Sequence, residues 1–207
     1  GTGAGMGGGG PGREVTVVDV DNFAGDEEMR DLTVADIHTY YVLADDEPVL
    51  VHNCGEDLYD HGGTTRYGAL DGQGRATFAS TVLHPDGIRR GTPASRDWEP
   101  PGWSGDGVAF NEARGHLLGN KLGGLGTGHT KRHNIVTLQQ KPLNSPYMRD
   151  QIEKMVHDHV LANKEIVQYT VTGIYGPGKT APIGLRVEAY GNKGFELDVS
   201  LINPGGR

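Results

Sequence analysis

Arg114-Gly115-His116 sets a permanent cation beside a titratable base, with a residue between them that tolerates a tight or closely approached backbone. Two amides follow. Asn134 opens the short apolar run Asn134-Ile135-Val136-Thr137-Leu138, and Asn144 stands just before Ser145-Pro146. Between the base and the first amide lie Gly119, Gly123, Gly124, Gly126 and Gly128, a flexible or closely approached loop. Hydrolysis of a phosphodiester needs a base for water, a metal or cation for the charge developing on phosphorus, and help for the leaving group. His116, Asn144 and Arg114 could supply these in turn. Taken alone, a single histidine in a glycine-rich loop is more often structural than catalytic.

Charge sharpens the picture. The 207 residues carry a formal charge of −8, which at first argues against a polyanionic partner. The acidity is local, however. Residues 1–53 hold two basic and 11 acidic residues, a net of −9, whereas 54–207 hold 17 and 16, a net of +1. Within 114–154 seven cations face two acids, a local +5 that suits a polyanion, or equally a solvated face. Lys121, Arg132 and Lys141 in this stretch are the candidate substrate contacts. The single cysteine, Cys54, excludes an intrachain disulfide framework and a CxxC zinc site. No apolar run approaches the ~18 residues of a membrane span, and no basic start followed by an apolar core marks a signal peptide.

The elements that must position these residues read as β, then one main helix, then β: an α+β domain. Residues 14–20 and 32–52 alternate as strands, with a turn at Ala44–Pro48. A turn at Asp71–Gly74 precedes a strand at Arg75–Leu83, and Pro85 to Trp103 reads as ordered loop. Ser145-Pro146 gives an N-cap and a first-turn proline. Met148, Ile152, Met155, Val156 and His159 then continue an amphipathic helix to about Asn163. Strands are expected at 166–175, 183–190 and 194–202. Gly173–Thr180 matches a phosphate-loop pattern, but a β-like run follows it where a helix is required, so it reads as a hairpin loop. Trp98 and Trp103 could stack bases, although a structural lid over the core is the better reading. His157 and His159 point apart on the helix, so they share no metal. His129 and His133 flank Lys131-Arg132 and could touch phosphate, although solvated loop is the default reading.

Taken in order, Arg114-Gly115-His116, Leu122-Gly123-Gly124, Asn134-Ile135-Val136 and Leu143-Asn144 resemble the DNA/RNA non-specific endonucleases of the ββα-metal superfamily. Flanking pieces extend the likeness over about 66–203: Tyr67–Asp71, Pro100–Trp103 and Tyr169–Tyr175. The resemblance implies a ββα-metal nuclease core with a mainly antiparallel sheet and one main helix. It implies that His116 is the general base and that Asn144 is the one direct protein ligand of Mg²⁺ (or Mn²⁺). Arg114 would meet the scissile phosphate, and Asn134 would support the site from behind. The substrate would be DNA and/or RNA. Two positions depart from the pattern. Ala113 replaces a frequent aspartate, and Ile152 stands where an acid usually holds a metal-bound water; either the neighbouring Glu153 substitutes as a metal residue through an altered helix start, or that contact is absent.

Residues 1–13, with eight glycines in the first twelve, read as a disordered leader. Residues 32–42 and 49–54 resemble the C-terminal end of an intein-like HINT autoprocessing domain, as found before toxin modules of bacterial polymorphic toxins. His52, Asn53 and Cys54 match its cleavage positions, and the resemblance implies a break after Asn53. No cysteine precedes Cys54, so the family's N-terminal thiol is missing, and 14–53 reads as a partial module that either retains C-terminal cleavage or is simply a strand-paired fragment. The expected organisation is therefore a leader, this β segment, and an endonuclease domain over 54–207. The implied setting is a toxin module secreted, or delivered into a target cell, as part of a larger protein, with a cognate immunity protein as partner. The contrasting expectation is a catalytically inactive binding or self-processing module.

Overall fold

The computed structural model describes residues 39–44, 47–52, 57–60 and 63–206. The expected strand at 14–20, the leader, and the Asn53 and Cys54 positions lie outside these. The chain divides into two units, Gly1–Cys54 and Gly55–Arg207. In the first, β1 (Thr39–Ala44) pairs antiparallel with β2 (Glu47–His52), with Thr39 opposite His52 and Ala44 opposite Glu47.

The second unit carries β3 (Leu58–Asp60), β4 (Thr65–Tyr67), β5 (Phe78–Leu83), β6 (Glu112–His116), β7 (Ile135–Gln139), β8 (Val167–Ile174), β9 (Gly184–Gly191) and β10 (Glu196–Ile202). Six of these form one antiparallel sheet in the order β10-β9-β8-β5-β4-β3. Alternation produces it. Val167, Tyr169 and Val171 are buried on β8 while Gln168 is exposed, and Leu185, Val187 and Ala189 do the same on β9. β5 begins at Phe78 rather than Arg75. The Arg75 guanidinium instead lies 4.1 Å from the Tyr175 ring and bonds Asp71, which closes the expected Asp71–Gly74 turn. Gly173 and Ile174 end β8, a turn closes at Gly176–Lys179, and β9 follows, so the phosphate-loop match is a hairpin loop.

The catalytic candidates sit on a separate ββα unit. β6 and β7 form a hairpin, with Glu112 opposite Gln139 and His116 opposite Ile135. Asn134 closes the helical turn α1 (Lys131–Asn134) and does not itself open the strand. After β7 comes the wide-turned helical segment Gln140–Glu153, interrupted by extended backbone at Lys141 and Ser145, and then α2 (Lys154–Asn163). Ser145 (φ −147°, ψ 123°) has the extended backbone of a residue entering a helix, with Pro146 directly after it. The buried stripe is Met148, Ile152, Val156 and Val160. Met155, expected in it, is 42% exposed. α2 ends at Asn163, where Lys164 turns left-handed (φ +50°). The stripe joins Tyr67, Tyr169, Leu118 and Leu138 in one core between helix, hairpin and large sheet. Among the described residues no helix is long and apolar enough to cross a membrane.

Candidate active site

Strand geometry explains why Arg114 and His116 belong together. Residues two apart on a strand share a face, and at ~3.3 Å per residue their Cα atoms lie roughly 7 Å apart. Gly115 faces the other way, where a Cβ would come within 2.5 Å of Leu138 Cδ1; only glycine lets that side chain lie across the strand. Arg114 is fixed twice. Its Nε donates to the Trp98 carbonyl at 2.7 Å, and its guanidinium carbon lies 4.2 Å from the Trp103 ring centroid. Its terminal nitrogens make no hydrogen bond to a described residue. His116 is half-buried, with Nε2 at 2.9 Å from the Thr92 carbonyl oxygen. A carbonyl can only accept, so the neutral ring carries its proton on Nε2 and leaves Nδ1 as a lone-pair nitrogen. Burial lowers the pKa below the ordinary 6.5, against the opposing pull of the Thr92 bond. The ring is thus a neutral base near pH 7.

Asn134 is fully buried, and its side-chain amide makes three of the four hydrogen bonds open to it. Its Oδ1 accepts from Leu118 N at 2.8 Å, and its Nδ2 donates to the Leu118 and Leu125 carbonyls at 3.0 and 3.1 Å. It fastens the chain that leaves His116. Asn144 is placed differently: its Nδ2 donates to Gln140 Oε1 at 3.0 Å, and no described donor reaches its Oδ1. That oxygen belongs to a residue lining a cleft of about 690 Å³, together with Arg96, Trp103, Asn111, Arg114 and Lys141. His116 is not part of the lining. A smaller cavity of about 220 Å³, between Thr64, Thr81, His84 and Leu122, contains none of the expected site residues.

Glu153 is buried, and its carboxylate lies over Gly119, where a Cβ would come within 2.1–2.3 Å of the carboxyl atoms. It therefore packs against the chain three residues beyond His116. No hydrogen bond or ion pair to Glu153 is found among the described residues. Burial pushes its pKa up to about 7, with Lys121 and Arg149 pulling the other way. The neighbouring Ile152 points into the core. The backbone between is widened, since Lys154 N–H bonds the Arg149 carbonyl five residues back.

Of the three cations expected to touch substrate, Lys141 lines the cleft, Lys121 is exposed beside Glu153, and Arg132 stacks 5.1 Å over the Trp98 ring. Three further cations of the basic stretch are paired: Lys131 with Asp97, Arg149 with Asp150, and Lys154 with Asp158. Trp98 and Trp103 are half-buried supports for two arginines, which corrects their reading as a lid over the core. Arg96, Trp103 and Asn111 were not among the expected site residues. Arg96 and Trp103 come from the loop before β6, and the composition of that loop (rich in Pro, Gly and Arg) was the available signal.

A family model described as DNA/RNA non-specific endonuclease matches residues 56–192. The chain belongs to that family. Two solved structures share the fold of this endonuclease. NucA from Streptococcus agalactiae with magnesium ion bound is 20% identical, with a TM-score of 0.52 over 80% of this chain and 84% of that one. Sda1 nuclease with bound zinc ion is 23% identical, with a TM-score of 0.53 over 76% of each chain. No curated relative matches.

The donor set of the endonuclease fits a hard cation that keeps most of its waters. Asn144 offers the cleft a neutral oxygen without a described donor, Glu153 is a carboxyl outside the cleft lining with no hydrogen bond or ion pair among the described residues, and no group of three or more His, Cys, Asp or Glu gathers among those residues. Mg²⁺ and Mn²⁺ are served by few protein oxygens completed by water and phosphate; a closed zinc site needs four ligands.

Proposed function

We propose that this endonuclease hydrolyses DNA and/or RNA without sequence preference, with His116 as general base, Arg114 on the scissile phosphate, and Asn144 as the direct protein ligand of Mg²⁺ or Mn²⁺. Glu153 would hold a water of that cation. The observation that carries the reading is the shared face of β6: a base with its lone pair on Nδ1 stands two residues from a braced guanidinium, and that guanidinium, though not His116 itself, lines a cleft with the Asn144 amide and the Arg96 and Lys141 cations. His116 Nδ1 takes the proton of the attacking water. Arg114, held over the Trp103 ring, offsets charge on the phosphate without having to reorganise. When bound, the metal ion would neutralise phosphate charge and acidify water. Ala113 does not favour the inactive reading, because it pairs with Leu138 on the face of β6 opposite Arg114 and His116. Digestion of plasmid and RNA with Mg²⁺, with and without chelator, tests the proposal. Cutting is expected to vanish with chelator and with His116→Ala, and undiminished cutting by the variant removes the proposed base.

The sequence of the first unit suggests the setting. Residues 14–53 are read as a partial HINT module that cuts the chain after Asn53, assisted by His52, ahead of a nuclease toxin that is secreted or delivered into a target cell and countered by an immunity protein. Mass spectrometry of the purified chain should find the break after Asn53. An Asn53→Ala chain cut at the same place would count against cyclisation.

A further inference from the structure

The loop that leads into β6 ends in a turn, Asp106–Asn111, that shows apolar side chains to solvent at the edge of the cationic cleft. Val108 is 94% exposed and Phe110 47% exposed. Single exposed apolar residues are ordinary and need no explanation. These differ in being displayed by a fastened backbone. Asp106 Oδ1 accepts from the Val108 and Ala109 amides at 2.9 and 3.1 Å, and the Glu112 amide donates to the Gly107 carbonyl at 2.7 Å. Glu112 in turn accepts from Ser104 N and Oγ at 3.0 and 2.8 Å. At the far end Asn111, in left-handed backbone (φ +53°), donates Nδ2 to the Lys141 carbonyl at 2.9 Å and accepts from Lys141 N at 3.2 Å. The turn is thereby tied to the segment that carries Lys141 and Asn144. Val108 itself lines the cleft, beside Arg96, Arg114 and Lys141.

A surface with cations along a cleft and an exposed apolar side chain, Val108, presented there by a fastened turn matches a polymer with a charged backbone and apolar faces. We propose that the Asp106–Asn111 turn is an apolar wedge for nucleobases: Val108, with Phe110 beside it, packs against or between the bases of the strand whose phosphates lie in the cleft. The proposal rests on the nuclease reading above and adds a substrate feature to it. The enzyme engages strands whose bases can be unstacked, and it does so by shape and apolar contact, which every base offers equally. Sequence indifference follows from that.

The test uses single strands of equal length, one with natural bases and one with a stable tetrahydrofuran analogue in place of every base-bearing sugar. The wild-type chain should cut the natural strand with kcat/KM roughly tenfold higher, the worth of about one stacked base. In chelator, emission from a duplex containing 2-aminopurine should rise on binding of the wild type, as the probe is unstacked. The Val108→Ser/Phe110→Ser variant should lose both the preference and the rise, with unchanged circular dichroism and Tm. A variant that keeps both overturns the wedge and leaves the turn to a protein partner. A wild type that cuts both strands equally sinks the wedge alone, and a wild type that cuts neither sinks the nuclease reading with it.

Discussion

Glu153 is a buried carboxyl without a described hydrogen-bond or ion-pair partner, and its ionisation should be visible in the stability of the metal-free chain. Its pKa rises from the ordinary 4.5 to about 7, chiefly through burial, which disfavours the charged form. The sign follows from linkage. Below the unfolded value the side chain is neutral in both states and nothing is lost. As pH rises from 4.5 toward 7 the unfolded chain ionises while the folded one does not, so stability falls; above about 7 the loss is complete. A shift of that size at ~1.4 kcal/mol per unit corresponds to about 3 kcal/mol. Glu153→Gln preserves the shape and removes the titration. In chelator, urea unfolding monitored by circular dichroism from pH 4.5 to 8 should therefore show the wild type losing about 3 kcal/mol relative to the variant. The variant should be the more stable at pH 8. Adding Mg²⁺ at pH 8 should then raise the Tm of the wild type more than that of Glu153→Gln, because ligand binding to the native state adds to its stability. Parallel pH profiles for the two chains would refute the buried-carboxyl argument. An equal Mg²⁺ response would refute the role of Glu153 toward the cation.

Further outcomes follow from individual residues. His116→Ala should lower kcat by about 10²–10⁴ with the fold intact, and the rising limb of the wild-type kcat/KM profile should have its midpoint below pH 6.5, since burial favours the neutral base; a midpoint above 6.5 contradicts the assignment. Asn134→Ala strands the Leu118 amide and the Leu118 and Leu125 carbonyls, and should cost about 3 kcal/mol in urea unfolding before any effect on catalysis is counted. Arg114→Lys keeps the charge but loses the flat contact with Trp103, so KM for polynucleotide should rise several-fold with Tm nearly unchanged. With Arg96, Arg114 and Lys141 as the cations in the cleft, a plot of log K against log salt for single-stranded DNA in chelator should have a slope of about −2. A slope near −5 would mean that the whole basic stretch is engaged.

Much of this architecture was legible in the chain because it is locally encoded. β8, β9 and β10 show the two-residue alternation of half-buried strands, and the helix announces its start at Ser145-Pro146 and stops at Asn163 where expected. The pairing of β6 with β7 was not legible. Arg114-Gly115-His116 lacks apolar alternation, and Ile135 to Leu138 is buried on both faces, so neither segment carries the period of a half-exposed strand. The cleft was even less so. Arg96 and Trp103 arrive on a loop held in place by contacts distant in sequence, such as Arg114 to the Trp98 carbonyl and Thr137 to the Pro101 carbonyl. Glu153, next to the position where an acid was expected, could not be distinguished from a surface residue without knowing that Gly119 leaves room for its carboxylate.

The charge of the chain then takes on a definite meaning. A net −8 counts residues, whereas a phosphate responds to charges within about a Debye length of ~8 Å. The first 53 residues hold the excess acid, and the remaining 154 are nearly neutral. Within those 154, Lys131, Arg149 and Lys154 each face a carboxylate of their own, and Lys121 lies beside Glu153. Arg96, Arg114 and Lys141 share the cleft, and Arg114 is braced by an indole and a carbonyl rather than by an acid. An arginine stacked on tryptophan keeps its full charge for an incoming anion, which one paired to aspartate does not. What suits this cleft to a polyanion is therefore the kind of partner that holds its arginine, and the overall balance of acids and bases has little bearing on it.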